Sequence, residues 1–309
     1  MSFGNVPSPV VFGCSSLTLT NEEREFFKES QPLGFIIFQR NVQDKPQLKA
    51  LIEDLKSTVT HTNCQILIDQ EGGRVVRLKQ PHWFEPPPSA VLAKGSLEDA
   101  TRNVQEAYKK IAEELKDIGI TANCTPMLDL DVQGASAIMG DRTFSSDPKI
   151  VAELGAVAIK TLQEGGIIPI MKHIPGHGPA VCDSHEELPV VSLSFKELLP
   201  HFAPFKANAS CPWAMTAHII YSTVDPYNPA TQSSTLINEI IRSEIGFQRF
   251  LISDDLGMKA LSGSFYDRAY KSLDAGCDAV LHCSGNMKEM IEVMKGVIAF
   301  THPLQRKAN

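Results

Sequence analysis

The sequence predicts one (β/α)8 barrel of the TIM type, an α/β fold, on three observations. Eight short apolar segments alternate with longer helical patterns along the 309 residues. No low-complexity linker or change of composition divides the chain, and such barrels occupy roughly 250 residues or more. Irregular insertions follow the third, fourth and fifth apolar segments, where barrels build their functional sites. We therefore expect a single barrel domain over residues 1–309, with a doubly wound sheet as the competing fold.

The eight candidate strands are short and almost continuously apolar. This pattern is typical of parallel strands that are covered by helices. They span residues 10–16, 34–40, 64–70, 120–128, 167–174, 213–220, 249–256 and 278–283. We expect the region around the second strand to be irregular.

The candidate helices between these strands carry start and stop signals. Thr20 and Glu23 have the spacing of a capping box, and Asp147 followed by Pro148 suits an N-cap and first helical position. The predicted helices span residues 20–30, 96–119, 147–166, 234–246, 264–277 and 286–300.

Bulk composition excludes several classes of partner. The net charge is −7 with a pI near 5.7, so neither nucleic acid nor a polybasic membrane contact is indicated. The N-terminus has no basic region followed by a long apolar run, as a secretory signal would. Seven scattered cysteines without a CxxC pair are typical of reduced thiols. We expect a soluble, cytoplasmic monomer without a cofactor.

Polar side chains gather where several of the predicted strands end. Charges at the ends of apolar strands are costly unless they are paired, so several on one rim predict a polar pocket. A ring of structural salt bridges is the alternative. These side chains are Asp69, Glu71, Arg74, Arg77, Arg142, Lys172, His173, His218, Asp254 and Asp255.

The irregular segment KHIPGHGPAVCDSH, residues 172–185, holds three of the nine histidines, and three hypotheses fit it. In the first, His173, His177 and His185 bind a divalent metal with an aspartate, although the HxPGHG spacing does not place two imidazoles on one face of a helix. In the second, Lys172 forms a Schiff base, as in aldolase-type barrels. His173 is adjacent to Lys172 and is expected to point the opposite way along the strand.

The third hypothesis is nucleophilic and acid–base chemistry on a polar ligand. Asp254 attacks the ligand and His185 transfers the proton. Asp183 lies two residues before His185, so in an extended loop its carboxylate reaches the imidazole and fixes which nitrogen faces the ligand. The hydroxyl and carbonyl groups of the ligand would be held by Asp69, Arg77, Arg142, Lys172 and His173.

Five sequence blocks resemble the signature motifs of glycoside hydrolase family 3, in the order of that family. The most similar members are its single-domain bacterial β-N-acetylglucosaminidases. The blocks are IDQEGGRVVRL (68–78), GDRTFS (140–145), KHIPGHGPAVCDSHEELP (172–189), AMTAHIIY (214–221) and SDDLGM (253–258). Two positions depart from the usual pattern, Thr143 and Gly257, and neither is a matched catalytic position.

The resemblance implies a role for each matched residue. Asp254 matches the nucleophile, His185 the acid/base and Asp183 its partner, without a metal. Asp69, Arg77, Arg142, Lys172 and His173 match sugar-contacting positions.

The activity implied by the resemblance is that of a retaining exo-β-N-acetylglucosaminidase. Its substrate would be a muropeptide fragment, N-acetylglucosamine linked to anhydro-muramic acid, in peptidoglycan recycling. A Schiff-base lyase that uses Lys172 and a sugar-binding sensor without turnover remain the alternatives. Phosphate in place of water as the final acceptor also stays open.

Overall fold

The computed structural model describes residues 6–132, 139–177, 180 and 187–301. Its strands are β1 (Ser8–Gly13), β2 (Pro32–Ile37), β3 (Gln65–Ile68), β4 (Ala122–Asn123), β5 (Ile168–Ile174), β6 (Val190–Val191), β7 (Trp213–Thr216), β8 (Ile220–Tyr221), β9 (Phe250–Asp255) and β10 (Ala279–His282). The helices are α1 (Asn21–Ser30), α2 (Lys45–Ser57), α3 (Ser89–Leu92), α4 (Leu97–Asp117), α5 (Pro148–Glu164), α6 (Phe195–Ala207), α7 (Phe265–Ala275) and α8 (Met287–Thr301). A π-helix spans Leu236–Glu244.

Eight of the strands close into a parallel barrel, as the sequence predicts. The order around the barrel is β1, β10, β9, β7, β5, β4, β3 and β2, which then returns to β1. The short strands β6 and β8 form a separate parallel pair beside the barrel. All eight predicted strand segments therefore supply barrel strands.

Strand β2 is continuous and all six of its residues are buried. Its pairing with β3 is regular from Gly34 to Ile37. The irregularity in this region lies in the pairing of β2 with β1, where the register shifts between Ser8 and Val11.

Alternate strand residues serve two apolar layers. Val11, Ile36 and Leu67 pack with one another inside the barrel, while Phe12 and Ile37 pack between the strands and the helices. Both faces of each strand are thus apolar, which explains the continuous apolar runs in the sequence.

The predicted helix caps are present. Thr20 and Glu23 form a reciprocal capping box at the start of α1. A further box, of Ser96 and Asp99, begins α4. Asp147 accepts a hydrogen bond from the backbone N–H of Lys149 at the start of α5.

Three helices, α2, α6 and the four-residue α3, lie outside the predicted set. Helix α6 contains Pro200 and Pro204, and internal prolines normally argue against a helix because they lack an N–H donor. It begins with a capping box of Ser194 and Glu197 and buries Phe202 and Phe205 completely or nearly so. Apolar burial outweighs the poor local propensity here.

Candidate active site

A polar cavity of about 450 Å³ lies at the carboxyl ends of the barrel strands. This volume falls within the range of about 300–1,000 Å³ that is usual for small-molecule sites. Its apolar wall includes Phe38, Met215 and Met258. Six predicted site residues line it: Asp69, Arg77, Arg142, Lys172, His173 and Asp254.

Lys172, near the end of β5, lies between two carboxylates in the cavity. Its ammonium Nζ is 2.9 Å from Asp69 Oδ1 and 2.6 Å from Glu71 Oε1. Burial of Lys172 acts to lower its pKa, but the two carboxylates outweigh it and raise the pKa above the ordinary lysine value. The amine is therefore a firmly held cation.

Two arginines complete this ion cluster. Arg142 is buried and donates from Nε and Nη2 to the two oxygens of Glu71, at 2.9 and 2.8 Å. Arg77 Nη2 donates to Asp69 at 3.2 Å, and its guanidinium lies over the Phe38 ring at 4.9 Å. Bidentate and stacked geometries restrict the arginine side chains, so the cluster is rigid before any ligand binds.

Asp254 is held at the end of β9 with its carboxylate in the cavity. Its Oδ1 accepts from the backbone N–H of Asp255 at 2.8 Å, and the side chain remains 18% exposed. Burial acts to raise the pKa of Asp254, but the imidazoles of His173 and His218 and the Asp255 N–H outweigh it. The pKa of Asp254 lies below the ordinary value, so the group is a carboxylate at neutral pH.

His173 faces the same cavity as Lys172, so the expectation that the two point in opposite directions is wrong. The register of β5 with β7 shifts between Lys172 and Ile174. A bulge of this kind re-aims a side chain. His173 Nε2 is consequently 4.0 Å from Asp254 Oδ2.

A buried carboxylate after β4, Asp129, lies behind His173. His173 Nδ1 donates to Asp129 Oδ2 at 2.7 Å, and the His177 backbone N–H donates to Asp129 Oδ1 at 2.5 Å. Asp129 is not among the site residues predicted from the sequence. Its signal was a carboxylate within the apolar run MLDLDV, residues 127–132, since buried charges require partners.

His218 supports the site from outside the cavity. It is 1% exposed, and its Nε2 donates to the carbonyl of Asp255 at 3.0 Å. Nδ1 lies 2.7 Å from the hydroxyl of Thr231. Burial lowers the pKa of His218, and the two contacts fix the orientation of its ring behind the end of β9.

The remaining catalytic predictions, Asp183 and His185, lie outside the described residues. The metal hypothesis needs His185 as a ligand, so its full ligand set also lies partly outside the described residues. Among residues 6–132, 139–177, 180 and 187–301, no group of three His, Cys, Asp or Glu side chains is arranged to hold a metal ion. Over the same residues, none of the helices combines the length and apolar character needed to cross a bilayer.

Comparison with known proteins identifies the family. Residues 9–305 match the profile described as "Glycosyl hydrolase family 3 N terminal domain". The chain belongs to glycoside hydrolase family 3. The "Beta-hexosaminidase" of Bordetella avium is 33% identical over 96% of this family 3 chain and 86% of its own length. That of Shewanella frigidimarina is 36% identical, covering 91% and 83%.

Solved structures that are similar in sequence share the fold of this chain. The crystal structure of NagZ from Neisseria gonorrhoeae in complex with N-trifluoroacetyl-D-glucosamine is 34% identical to this chain. It superposes with a TM-score of 0.86, over 94% of this chain and 85% of that chain. The β-N-acetylglucosaminidase from Paenibacillus sp. str. FPU-7 gives a TM-score of 0.84 at 28% identity, covering 97% and 61%.

Proposed function

We propose that this family 3 chain is a retaining exo-β-N-acetylglucosaminidase that releases N-acetylglucosamine from muropeptide fragments. The observation that carries the proposal is the ionised carboxylate of Asp254, which lies in a cavity lined by other charged side chains held in ion pairs. Relatives named β-hexosaminidase and a neighbour bound to an N-acylated glucosamine support the substrate class. The muropeptide source of the sugar and its place in peptidoglycan recycling are part of the proposal.

In the first step Asp254 attacks the anomeric carbon. The glycosidic C–O bond breaks, and His185 donates a proton to the leaving oxygen. An ionised carboxylate suits this role because positive charge develops on the sugar in the transition state and is attracted to it.

In the second step water replaces Asp254 at the anomeric carbon. His185 takes the proton of the water and the carboxylate leaves, so the product keeps the β configuration. Asp183 would orient the His185 imidazole through both steps. Pro175, Gly176 and Gly178 favour an irregular connection, and we propose that it carries His185 to the bound sugar.

The ion cluster supports a binding role for its members. Asp69 and Lys172 present acceptors and a donor fixed in position, which suits the hydroxyl groups of a sugar. Arg77, Arg142 and His173 extend this polar wall along the cavity. Preformed polar contacts reduce the ordering cost on binding.

The structure argues against a Schiff-base lyase. A nucleophilic lysine must be unprotonated, and such lysines have a lowered pKa. Lys172 is paired with two carboxylates that raise its pKa. Borohydride reduction in the presence of substrate should therefore leave Lys172 unmodified.

The proposal is tested by trapping the glycosyl-enzyme. A 5-fluoro N-acetylglucosaminyl fluoride slows both chemical steps, so the sugar should add to the peptide that contains Asp254. Asp254→Asn should abolish labelling, while the adjacent Asp255→Asn should retain it. Labelling elsewhere, or an inverted product by proton NMR, would contradict the double displacement.

The acid/base role is tested by leaving-group dependence. His185→Gly should slow cleavage of substrates with poor leaving groups far more than that of 4-nitrophenyl or better-activated substrates. Equal losses on both would contradict the assignment. A wild-type chain with no turnover of 4-nitrophenyl N-acetyl-β-glucosaminide would instead favour a sugar-binding sensor.

A further inference from the structure

Asp129 makes three contacts that converge on one carboxylate. The residue is 1% exposed. Its Oδ2 accepts from the His173 backbone N–H at 3.2 Å as well as from the ring Nδ1 at 2.7 Å. Its Oδ1 accepts from the His177 backbone N–H at 2.5 Å. One buried group therefore spans the chain from His173 to His177 and fixes an imidazole at the same time.

The ionisation of Asp129 determines where the His173 proton lies. Burial acts to raise the pKa of Asp129, but His173, His177 and the hydrogen bonds outweigh it and hold the pKa below its ordinary value. An ionised carboxylate only accepts hydrogen bonds, so His173 Nδ1 must carry the proton. The other nitrogen, Nε2, then faces Asp254 across 4.0 Å.

We propose that Asp129 is a positioning residue that acts through His173 on the nucleophile Asp254. By holding Nδ1–H, it fixes the ring orientation and sets Nε2 beside the reacting carboxylate and the bound sugar. The same logic operates when a carboxylate orients a histidine in hydrolases and metal sites. This inference rests on the proposed function, in which Asp254 attacks the sugar.

The groups that face these two carboxylates come from several elements. Asp254 is faced by His173 and Lys172 of β5, His177 after β5, His218 after β7, Asp255 of β9, Cys124 after β4 and Cys283 after β10. Asp129 is faced by His173, His177, Arg142, His201 of α6 and Tyr221 of β8.

A double-mutant cycle separates action through His173 from independent action. Asp129→Asn keeps an acceptor for the His177 N–H, and we expect kcat/KM to fall about 10- to 100-fold. In the double variant Asp129→Asn/His173→Gln the loss should match that of His173→Gln alone, within about threefold. Losses that multiply would overturn the proposal. Asp117→Asn, an exposed carboxylate at the end of α4, is the control and should leave kcat/KM unchanged.

The acid limb of the pH profile of kcat/KM is a second test of the proposal. The direction in which this limb moves in Asp129→Asn distinguishes a direct charge effect from an effect through His173. Direct loss of the Asp129 charge would reduce repulsion on Asp254, lower its pKa and move the limb to lower pH. Loss of the oriented imidazole would raise the pKa of Asp254 and move the limb to higher pH. The proposal requires the upward movement in Asp129→Asn, and an unchanged or downward limb contradicts it.

The wild-type enzyme provides a test without any variant. Nitrogen-15 NMR of labelled histidines should show a His173 ring that is protonated at Nδ1 at pH 7, and a ring unprotonated at Nδ1 would overturn the inference. If the wild-type chain cleaves N-acetyl-β-glucosaminides but the cycle is multiplicative, only the Asp129 role fails. If it does not cleave them, the proposed function fails, and the NMR result still decides the Asp129–His173 geometry.

Discussion

Replacement of Lys172 by methionine tests whether the ion cluster stabilises the fold as well as the site. The substitution removes the cation between Asp69 and Glu71 but keeps the length of the side chain. Lys172 is 4% exposed and its partners are 14% and 6% exposed. Removal of one partner from a buried pair costs about 3–5 kcal/mol, because the other charge stays buried without compensation.

The expected change in Tm follows from the size of the chain. Unfolding entropy is roughly 2.1 cal/mol/K per residue, so 309 residues give about 0.65 kcal/mol/K. A loss of about 3–5 kcal/mol therefore lowers Tm by about 5–8 °C at pH 7. Scanning calorimetry measures the change in Tm, and urea unfolding followed by tryptophan fluorescence measures the change in unfolding free energy.

Lys49→Met is the matched control. Lys49 Nζ lies 2.9 Å from Asp117 Oδ1, with side chains 44% and 51% exposed. Exposed ion pairs contribute about 0–1 kcal/mol, so the control should lose less than about 1.5 °C. A Lys172→Met variant within about 1 kcal/mol of this control would refute the buried-charge argument.

The pH dependence supplies a further check on Lys172→Met. The folded pKa values of Asp69 and Glu71 are depressed despite burial, with Lys172 the largest opposing cause. Their stabilisation is present above the unfolded pKa of about 4 and is lost as pH falls through the folded pKa. The raised pKa of Lys172 keeps its own contribution in place up to about pH 10. The difference in unfolding free energy between wild type and Lys172→Met should be constant from about pH 5 to 9 and should decrease below about pH 4.

Three further predictions address Asp254, a close backbone approach and a helix cap. Since the pKa of Asp254 is lowered, the acid limb of kcat/KM should lie below about pH 3.9, and a limb near pH 5 would contradict this environment. In Gly34→Ala the new Cβ would lie 2.1 Å from a backbone carbonyl of β3, so unfolding free energy should fall by about 3 kcal/mol or more. Gly246→Ala, where no atom lies within 4 Å but φ is +79°, should cost only about 1 kcal/mol; equal losses would count against the steric argument. Thr20→Ala should lower the unfolding free energy by about 1 kcal/mol through loss of the capping box, against less than about 0.5 kcal/mol for the exposed Thr62→Ala.

The barrel could be predicted from the sequence because its strands are apolar on both faces. Residues such as Ile36 and Ile37 look alike in the sequence, although one lies inside the barrel and the other under the helices. Position in the sequence was enough to place Asp69 and Asp254 on one rim, since parallel strands all end on the same side.

Features that depend on tertiary packing were not predictable in the same way. Helix α6 contains two prolines, so its sequence argues against a helix, and only the burial of its phenylalanines explains why it forms. The direction of His173 depends on a register shift in β5, which no local pattern indicates. Asp129 could have been found from its charge within an apolar run, but its partner could not, because the two residues are joined only across neighbouring strands.

The seam of the barrel constrains how the chain is made in the cell. Strand β1, near the start of the sequence, hydrogen-bonds to β10, formed by residues 279–282. During synthesis, at about 5–20 residues per second, the growing sheet keeps two open edges until the last strand leaves the ribosome. Unpaired strand edges bind strands of other chains and promote aggregation. The nascent chain is therefore most prone to aggregation before β10 is synthesised. Asp69, Lys172 and Asp254 are all synthesised before that moment, and the cavity that they line with Leu281 and Cys283 is complete only when β10 arrives.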